Sequence, residues 1–172
     1  MTRPRLSSDT ISKHVADILL PRVLLWLKED PASDEVERIR DEVYNAIRRA
    51  PHGDSYRIAN YLEERYYWSV DSDLVHIFEE VSFISFKKHD ELVAAWVQES
   101  GVKPKFSVGA KVSFKDDGDT YSGEVTRVNA RLGTYVVFCQ DLGHVKSGTG
   151  TLGVVLPFED ASLTPICSQA TV

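Results

Sequence analysis

Four aromatic side chains that carry polar groups lie within eight residues of one another: Tyr61, Tyr66, Tyr67 and Trp68. Such side chains combine a large apolar ring with one hydrogen-bonding group, and they are enriched where proteins bind other proteins. The last three are consecutive, so on a helix their side chains would point about 100° apart. Because one core face cannot take all three, we expect at least one ring to face solvent or a protein partner.

A glycine-rich segment, residues 142–153, offers two further side chains for ionic contacts, His144 and Lys146. The segment lacks the Gly-Lys-Ser/Thr ending of a phosphate-binding P-loop, and no helix is predicted after it. We interpret it as a long loop from which these two side chains contact a carboxylate or phosphate of a partner. If the loop and the aromatic cluster lie on one side of the molecule, they form a single composite surface.

Catalytic chemistry has no recognisable pattern in this sequence. No Ser, Cys or Asp lies in a known nucleophile context, and Cys139 and Cys167 have neither metal-ligand nor CxxC spacing. The sequence therefore predicts a protein that is not an enzyme and needs no metal or cofactor, although a site assembled only by the fold stays open. The histidines show no ligand spacing: His14, His52, His76, His89 and His144.

The formal net charge of −6 is unevenly distributed. Residues 1–102 contain 13 Lys/Arg against 19 Asp/Glu, whereas residues 103–172 contain 7 of each. A dedicated duplex-binding protein needs a basic surface to neutralise phosphates, so this charge argues against that role. The longest apolar run, residues 18–27, is interrupted by Pro21 and Arg22 and is too short to span a bilayer. We expect a cytoplasmic protein with reduced cysteines.

Residues 1–101 are predicted to form an acidic domain of four to five helices. The first helix begins near Asp9, and Pro21 is expected to break or kink it because proline has no N–H. Residues 81–86 fit either a helix or a strand, and Gly101 is placed to end the last helix. Later helices are expected from these start signals: Ser33, Asp54 or Ser55, Asp71 or Ser72, and Asp90.

Residues 107–141 have the pattern of three short antiparallel strands. Val112 and Phe114 alternate with polar residues, and residues 116–119 form a turn of the type that joins two strands of a hairpin. Gly123 interrupts the second strand, where we expect a bulge or sharp bend. After a second turn, the third strand at residues 134–139 is apolar enough to be covered on both faces. The chain is thus predicted to be an α+β protein.

In four short motifs the C-terminal third resembles the Tudor, KOW and chromo-barrel group of SH3-like small barrels. The motifs are Val108-Gly109, Tyr121-x-Gly123-x-Val125, the apolar alternation at residues 135–138 and the closing segment 158–165. The resemblance implies an SH3-like β-barrel at residues 107–166, after a linker at 102–106 and before a tail at 167–172. It is interrupted by the long insertion at residues 142–153.

The same resemblance implies an aromatic face on the barrel. In Tudor-like barrels such rings can surround a methylated lysine or arginine through cation–π contacts. The residues that would form this face are Phe114, Tyr121 and Tyr135.

Together these patterns predict non-enzymatic binding of a protein partner, as an adaptor or an inhibitor. The predicted partner surface consists of Tyr66, Tyr67, Trp68, His144 and Lys146. One alternative is nucleic-acid binding through the barrel. Another is an acidic surface that imitates nucleic acid and inhibits a nucleic-acid enzyme, as some phage-encoded, anti-CRISPR-like inhibitors do. The oligomeric state stays open.

Overall fold

The computed structural model describes residues 2–28, 32–50, 53–143, 146–147, 150–151 and 153–163. The protein is α+β, with helices in the N-terminal part and a curled antiparallel sheet at the C-terminus. The helices are α1 (Asp9–Leu27), α2 (Ser33–Arg49), α3 (Ser55–Tyr66), α4 (Ser72–Phe78) and α5 (Val81–Ser100). The strands are β1 (Lys111–Asp116), β2 (Asp119–Asn129), β3 (Thr134–Phe138), β4 (Lys146–Ser147), β5 (Gly150–Thr151), β6 (Val154–Pro157) and β7 (Ser162–Leu163).

The chain divides into two compact units. The helical unit comprises Thr2–Leu92, and the sheet unit begins at Val93, so the boundary lies inside α5. Among the described residues, no helix is both long and apolar enough to cross a lipid bilayer.

Helix α1 runs through Pro21 without a break, so the expected break is wrong, whereas the alternative expectation of a kink stays a prediction. Leu19 and Val23, on either side of the proline, are fully buried in the core of the helical unit. We attribute the continuity of the helix to this packing, because burial of apolar side chains commonly overrides a local helix preference.

The predicted start signals of α3 and α4 are confirmed. The Asp54 side chain accepts a hydrogen bond from the backbone N–H of Arg57 at 3.1 Å, and the Asp71 side chain accepts one from Leu74 at 3.0 Å. Each carboxylate thereby satisfies an N–H that has no partner within the helix.

Residues 81–86, which fitted either a helix or a strand, form the start of α5. The helix therefore begins nine residues before the predicted start at Asp90. Val81 and Ile84 are both buried and lie one helical turn apart, whereas Phe83 is 73% exposed. Gly101 adopts a left-handed conformation with φ of 65° and ends the helix as predicted.

The main sheet has the strand order β6-β3-β2-β1-β7, and every pairing is antiparallel. Asp117 and Gly118, with φ of 46° and 93°, form the two-residue turn between β1 and β2. Positive φ at both turn residues matches the right-handed twist of the paired strands. Strands β4 and β5 form a separate two-stranded ladder inside the segment that was predicted to be a loop.

The irregularity of β2 lies after Gly123 and not at it. The pairing register with β3 shifts between Val125 and Arg127, which corrects the expected position of the bulge. A Cβ added at Gly123 would lie 2.5 Å from the backbone oxygen of Phe138. Glycine is therefore required at position 123 because the backbone of β3 approaches closely.

The core of the sheet unit is aromatic and aliphatic. The rings of Tyr135 and Phe158 lie 4.4 Å apart between centroids, and both side chains are fully buried. A smaller cluster joins the end of α5 to the sheet unit, with Trp96 packed near Val102 and Leu132. The α5 residues after Leu92 thus contribute to the hydrophobic packing of the sheet unit.

Candidate functional site

Two tryptophans from distant parts of the sequence form a pair on the helical unit. Trp26 lies in the last turn of α1, and Trp68 follows the end of α3. Their ring centroids are 6.1 Å apart and their planes differ by 12°, so the indoles lie nearly parallel. Both side chains are half-buried, so each ring keeps part of its surface in contact with solvent.

Each indole N–H is fixed by a carboxylate. Trp26 Nε1 donates to Asp71 Oδ1 at 2.9 Å, and Trp68 Nε1 donates to Glu42 Oε2 at 2.7 Å. Glu42 is only 8% exposed and accepts a second hydrogen bond from Arg38 at 2.7 Å. This buried carboxylate is therefore paired and hydrogen-bonded, as burial of a charge requires.

Asp71 has two roles at once, because the same oxygen caps α4 and accepts the Trp26 N–H. The backbone hydrogen bond from Leu74 is the main cause that lowers the pKa of Asp71 below its usual value of 3.8. The carboxylate is therefore ionised at neutral pH and keeps both contacts.

Arg38 links two acids of α2. Besides Glu42 it bonds Glu35 at 3.1 Å. The hydrogen bond to Glu42 is the main cause that raises the pKa of the Arg38 guanidinium, which therefore stays charged.

Tyr66 and Tyr61 pack beside the tryptophan pair in an edge-to-face arrangement, with centroids 6.0 Å apart. Desolvation is the main cause that raises the pKa of the Tyr66 phenol, so this hydroxyl is neutral at physiological pH. Tyr66 is half-buried and partly structural, as the ring contacts indicate.

Tyr67 differs from its neighbours in both the exposure of its side chain and the conformation of its backbone. Its side chain is 88% exposed, and its φ of 59° lies in the left-handed region. Its N–H bonds the carbonyl of Glu63 at 3.0 Å, so Tyr67 ends α3 at the position where glycine is usual. The prediction that at least one of the three rings faces solvent is confirmed. The reason for the exposure differs from the predicted one. The prediction assumed that all three residues lie on a helix, whereas α3 ends at Tyr66.

Two clefts open beside the tryptophan pair. The first, of about 310 Å³, lies between Trp68, Tyr66 and Arg38. The second, of about 570 Å³, is bordered by Leu25, Asp71, Asp73 and His76. Trp26 borders both clefts, and Leu25 is 79% exposed. Tyr67 borders neither cleft but directly precedes Trp68 in the chain. We call the cleft residues Leu25, Trp26, Trp68, Asp71 and Asp73, together with Tyr67, the Trp26–Trp68 surface.

The two loop residues predicted at the rim of this surface belong to the sheet unit. His144 lies outside the described residues. Lys146 is part of β4, where the description covers its backbone and not its side chain. The proposed contribution of both residues to a composite surface stays a prediction.

The aromatic residues predicted to form a face on the barrel have different environments. Phe114 is 2% exposed and Tyr135 is fully buried, so both rings are part of the core. The Tyr135 hydroxyl accepts backbone hydrogen bonds from Lys105 at 2.8 Å and Phe106 at 3.1 Å. Tyr121 alone of the three is half-buried. Desolvation, followed by the charge of Asp119, raises the pKa of its phenol.

Trp26, Glu42 and Asp71 were not identified as site residues from the sequence. Trp26 follows the apolar spacing of α1, which is typical of a core residue, and Glu42 is one of several acids on α2. One signal could have found the pair, because a half-buried indole needs an acceptor for its N–H. The sequence does not show which acids come close enough to accept it.

No group of three His, Cys, Asp or Glu side chains that could hold a metal ion occurs in the described parts of the chain. His76 contacts Glu79 at 2.8 Å, and His89 contacts the carbonyl of Pro4 at 3.2 Å. No protein-family model, curated protein or solved structure matches this chain.

Proposed function

We propose that this protein is a non-enzymatic binding module that acts as an adaptor or inhibitor of a protein partner, and that it binds through the Trp26–Trp68 surface. The observation that carries the proposal is Tyr67, a tyrosine that is 88% exposed and has a left-handed backbone. Neither property helps the chain to fold.

The backbone conformation of Tyr67 opposes stability, and its exposed ring does not compensate for this. A side chain with a Cβ in the left-handed region is disfavoured by roughly 1–2 kcal/mol, which is why glycine usually ends a helix in this way. Exposure of the ring leaves its apolar surface in water, so burial does not offset the backbone term. Unfavourable local conformations cluster at functional sites, and this one presents a residue type enriched at binding hot spots.

The surroundings of Tyr67 also suit a binding surface. The adjacent Trp68 and its partner Trp26 are fixed by hydrogen bonds to Glu42 and Asp71, so little side-chain freedom is lost when a partner packs on them. Leu25 adds an exposed apolar side chain beside the second cleft. Rigid aromatic rings with polar groups around them are typical of the centre of a protein interface.

For the sheet unit we propose an SH3-like small barrel. The support is its topology: β1, β2, β3 and β6 form a consecutive antiparallel meander, and β7 returns to pair with β1. The register shift in β2 after Val125 also supports it, because such irregularities increase the local twist and help short sheets to curl towards closure. Nucleic-acid binding by this barrel and imitation of nucleic acid by the acidic helical unit remain predictions.

The test is a comparison of variants in a capture assay. Immobilised wild-type protein and the variants Tyr67→Ala and Leu25→Ala are incubated with an extract of the source cells, and each bound protein is quantified. Tyr56→Ala is the matched control, because Tyr56 is another tyrosine of the helical unit and is 65% exposed. We expect both surface variants to lose a partner that wild type and the control retain, with Tyr67→Ala weakening affinity about thirtyfold or more, as for a hot spot.

Folding is checked for every variant by circular dichroism and thermal unfolding. Retention of all wild-type partners by well-folded Tyr67→Ala and Leu25→Ala would contradict the proposed surface. Capture of nucleic acid in place of protein, lost after nuclease treatment, would favour the nucleic-acid alternative.

A further inference from the structure

We infer that the segment of the partner that binds the Trp26–Trp68 surface is basic, and that it inserts an arginine side chain beside Trp26. The inference rests on the proposed function and adds the chemical class of the partner. It follows from the charges around the two clefts and from the kind of ring that they surround.

Among the residues that the structure describes at this surface, the carboxylates outnumber the cations that could neutralise them. Arg38 is paired with Glu35 and Glu42, and Arg22 is paired with Glu80 at 2.7 Å. The charges of these two arginines are therefore already paired with carboxylates of the same chain. His76 contacts Glu79 at 2.8 Å, which adds another acid next to the second cleft.

After these pairs are set aside, Lys28 is the one lysine or arginine left among the described residues that border the second cleft, where Asp71 and Asp73 also lie. Oδ1 of Asp71 accepts both the α4 cap hydrogen bond and the Trp26 N–H, and the carboxylate carries a negative charge. Asp73 is exposed in the first turn of α4. The second cleft therefore has excess negative charge next to an indole ring.

An indole ring flanked by carboxylates suits a guanidinium group in particular. The face of tryptophan attracts cations more strongly than that of the other aromatic residues, and arginine is the cation that stacks on it most often. The planar guanidinium can also donate several hydrogen bonds to nearby carboxylates while it stacks. Trp26 and Asp73 border the same cleft and offer both kinds of contact.

The helical unit already contains the same chemistry within its own chain. Arg48 lies 5.9 Å and Lys13 lies 5.8 Å from the ring centroid of Tyr44. Arg48 also approaches the carboxylate of Asp9 at 3.9 Å. An aromatic ring, an acid and a guanidinium are thus grouped at Tyr44. The second cleft has a ring and acids in a similar arrangement, and a guanidinium of the partner would complete the group.

An acidic partner would place its carboxylates near Asp71 and Asp73, and like charges at short distance weaken binding. A purely apolar partner would bury these carboxylates without pairing them, which is also unfavourable. A basic peptide segment can stack its guanidinium groups on the indole rings and pair them with the carboxylates. It is therefore the kind of partner that this surface favours.

The test uses the full-length protein and a fluorescein-labelled synthetic peptide in which arginines alternate with Gly-Ser pairs. Comparison peptides have lysine, glutamine or glutamate at the arginine positions, and binding is measured by fluorescence anisotropy at low and at physiological salt. We expect the arginine peptide to bind most tightly, the lysine peptide more weakly, and the glutamine and glutamate peptides weakest of all. Affinity should fall as salt increases.

Three charge variants give a sharper result. Asp73→Asn should weaken binding of the arginine peptide about threefold, and Lys28→Gln should strengthen it by a similar factor, because each changes one partly exposed charge. Asp9→Asn is the matched control: Asp9 also lies in the first turn of a helix, but at the end of α1 opposite to Trp26. Its variant should bind as wild type does. If Asp73 and Lys28 had only a structural role, their variants would not change the affinity for the arginine peptide in opposite directions.

Several outcomes would overturn the inference: no binding of the arginine peptide, equal binding of the glutamine peptide, or identical affinities for Asp73→Asn and Lys28→Gln. The proposed function is judged separately. If Tyr67-dependent capture of a partner persists while the peptide results are negative, the surface binds protein but not through a basic segment. If Tyr67→Ala captures every partner as wild type does, both proposals fail.

Discussion

The aromatic residues of the two units are used in different ways. In the described part of the sheet unit, every aromatic side chain is buried or half-buried, as Phe114, Tyr135 and Phe158 illustrate. The helical unit instead contains four exposed aromatic side chains: Tyr56, Tyr67, Phe83 and Phe86. The helical unit thus presents much more aromatic surface than its own core requires.

The hydrogen-bond partners of the polar groups on these rings also differ between the two units. The Tyr135 hydroxyl is satisfied by two backbone N–H groups of the segment before β1, deep in the sheet unit. The Trp26 and Trp68 N–H groups are also satisfied, but by carboxylates at the border of open clefts. An aromatic ring with a fixed polar group can therefore serve a core or a surface, and its neighbours determine which.

The largest effect is expected when a core ring of the sheet unit is removed. Phe158→Ala should lower the free energy of unfolding by about 3–5 kcal/mol, because it deletes a fully buried ring that packs against Tyr135. Phe83→Ala is the matched control from the helical unit and should change it by less than about 0.5 kcal/mol. Chemical denaturation measures both values. Similar losses for the two variants would remove the contrast between the units.

A smaller loss is expected at the tryptophan pair. Trp68→Phe keeps a ring but deletes the N–H that binds Glu42, which leaves a buried carboxylate oxygen with one donor fewer. We expect a loss of about 1–3 kcal/mol in the free energy of unfolding. Trp26→Phe should be less destabilising, because its acceptor Asp71 is exposed. The reverse order would mean that the bond to Glu42 contributes little.

A gain in stability is expected at Tyr67. Tyr67→Gly relieves the left-handed backbone and should raise the free energy of unfolding by about 1 kcal/mol, while partner capture is lost. Stability is measured by thermal unfolding and capture by the assay described above. A variant that is both less stable and fully competent in capture would show that Tyr67 has a structural role.

The smallest effect concerns pH. Because the pKa of Asp71 is lower in the folded protein than its usual 3.8, its ionised form contributes stability above that pH and loses it as the pH falls. Asp71→Asn keeps an oxygen acceptor for Leu74 and Trp26 but does not titrate. The stability difference between wild type and this variant should therefore shrink between about pH 5 and pH 3. A difference that stays constant over this range would contradict the assigned pKa shift.

Local signals in the sequence predicted much of the secondary structure. Asp54 and Asp71 precede α3 and α4 and cap them, and the Asp117-Gly118 turn forms where it was expected. These features depend on a few adjacent residues, so their physics is visible in the sequence. The exposure of one ring among Tyr66, Tyr67 and Trp68 was also predicted, but from a helix through all three residues, whereas α3 ends at Tyr66.

The wrong expectations involved contacts between distant residues. Gly123 is required by the approach of Phe138 on another strand, and the continuity of α1 at Pro21 depends on a core formed by several helices. The pairing of Trp26 with Trp68 brings together residues 42 positions apart. Spacing along the chain does not encode such distances, and so the main pair of the candidate site was found only from the structure.

The distribution of the three tryptophans has an optical consequence. Trp26 and Trp68 are half-buried in the helical unit, whereas Trp96 is 8% exposed and belongs to the sheet unit. Indole emission shifts to longer wavelength as the ring becomes hydrated, so Trp96 should emit at the shortest wavelength of the three. Excitation of the native protein therefore yields two spectral components, and during denaturation each follows the unfolding of its own unit.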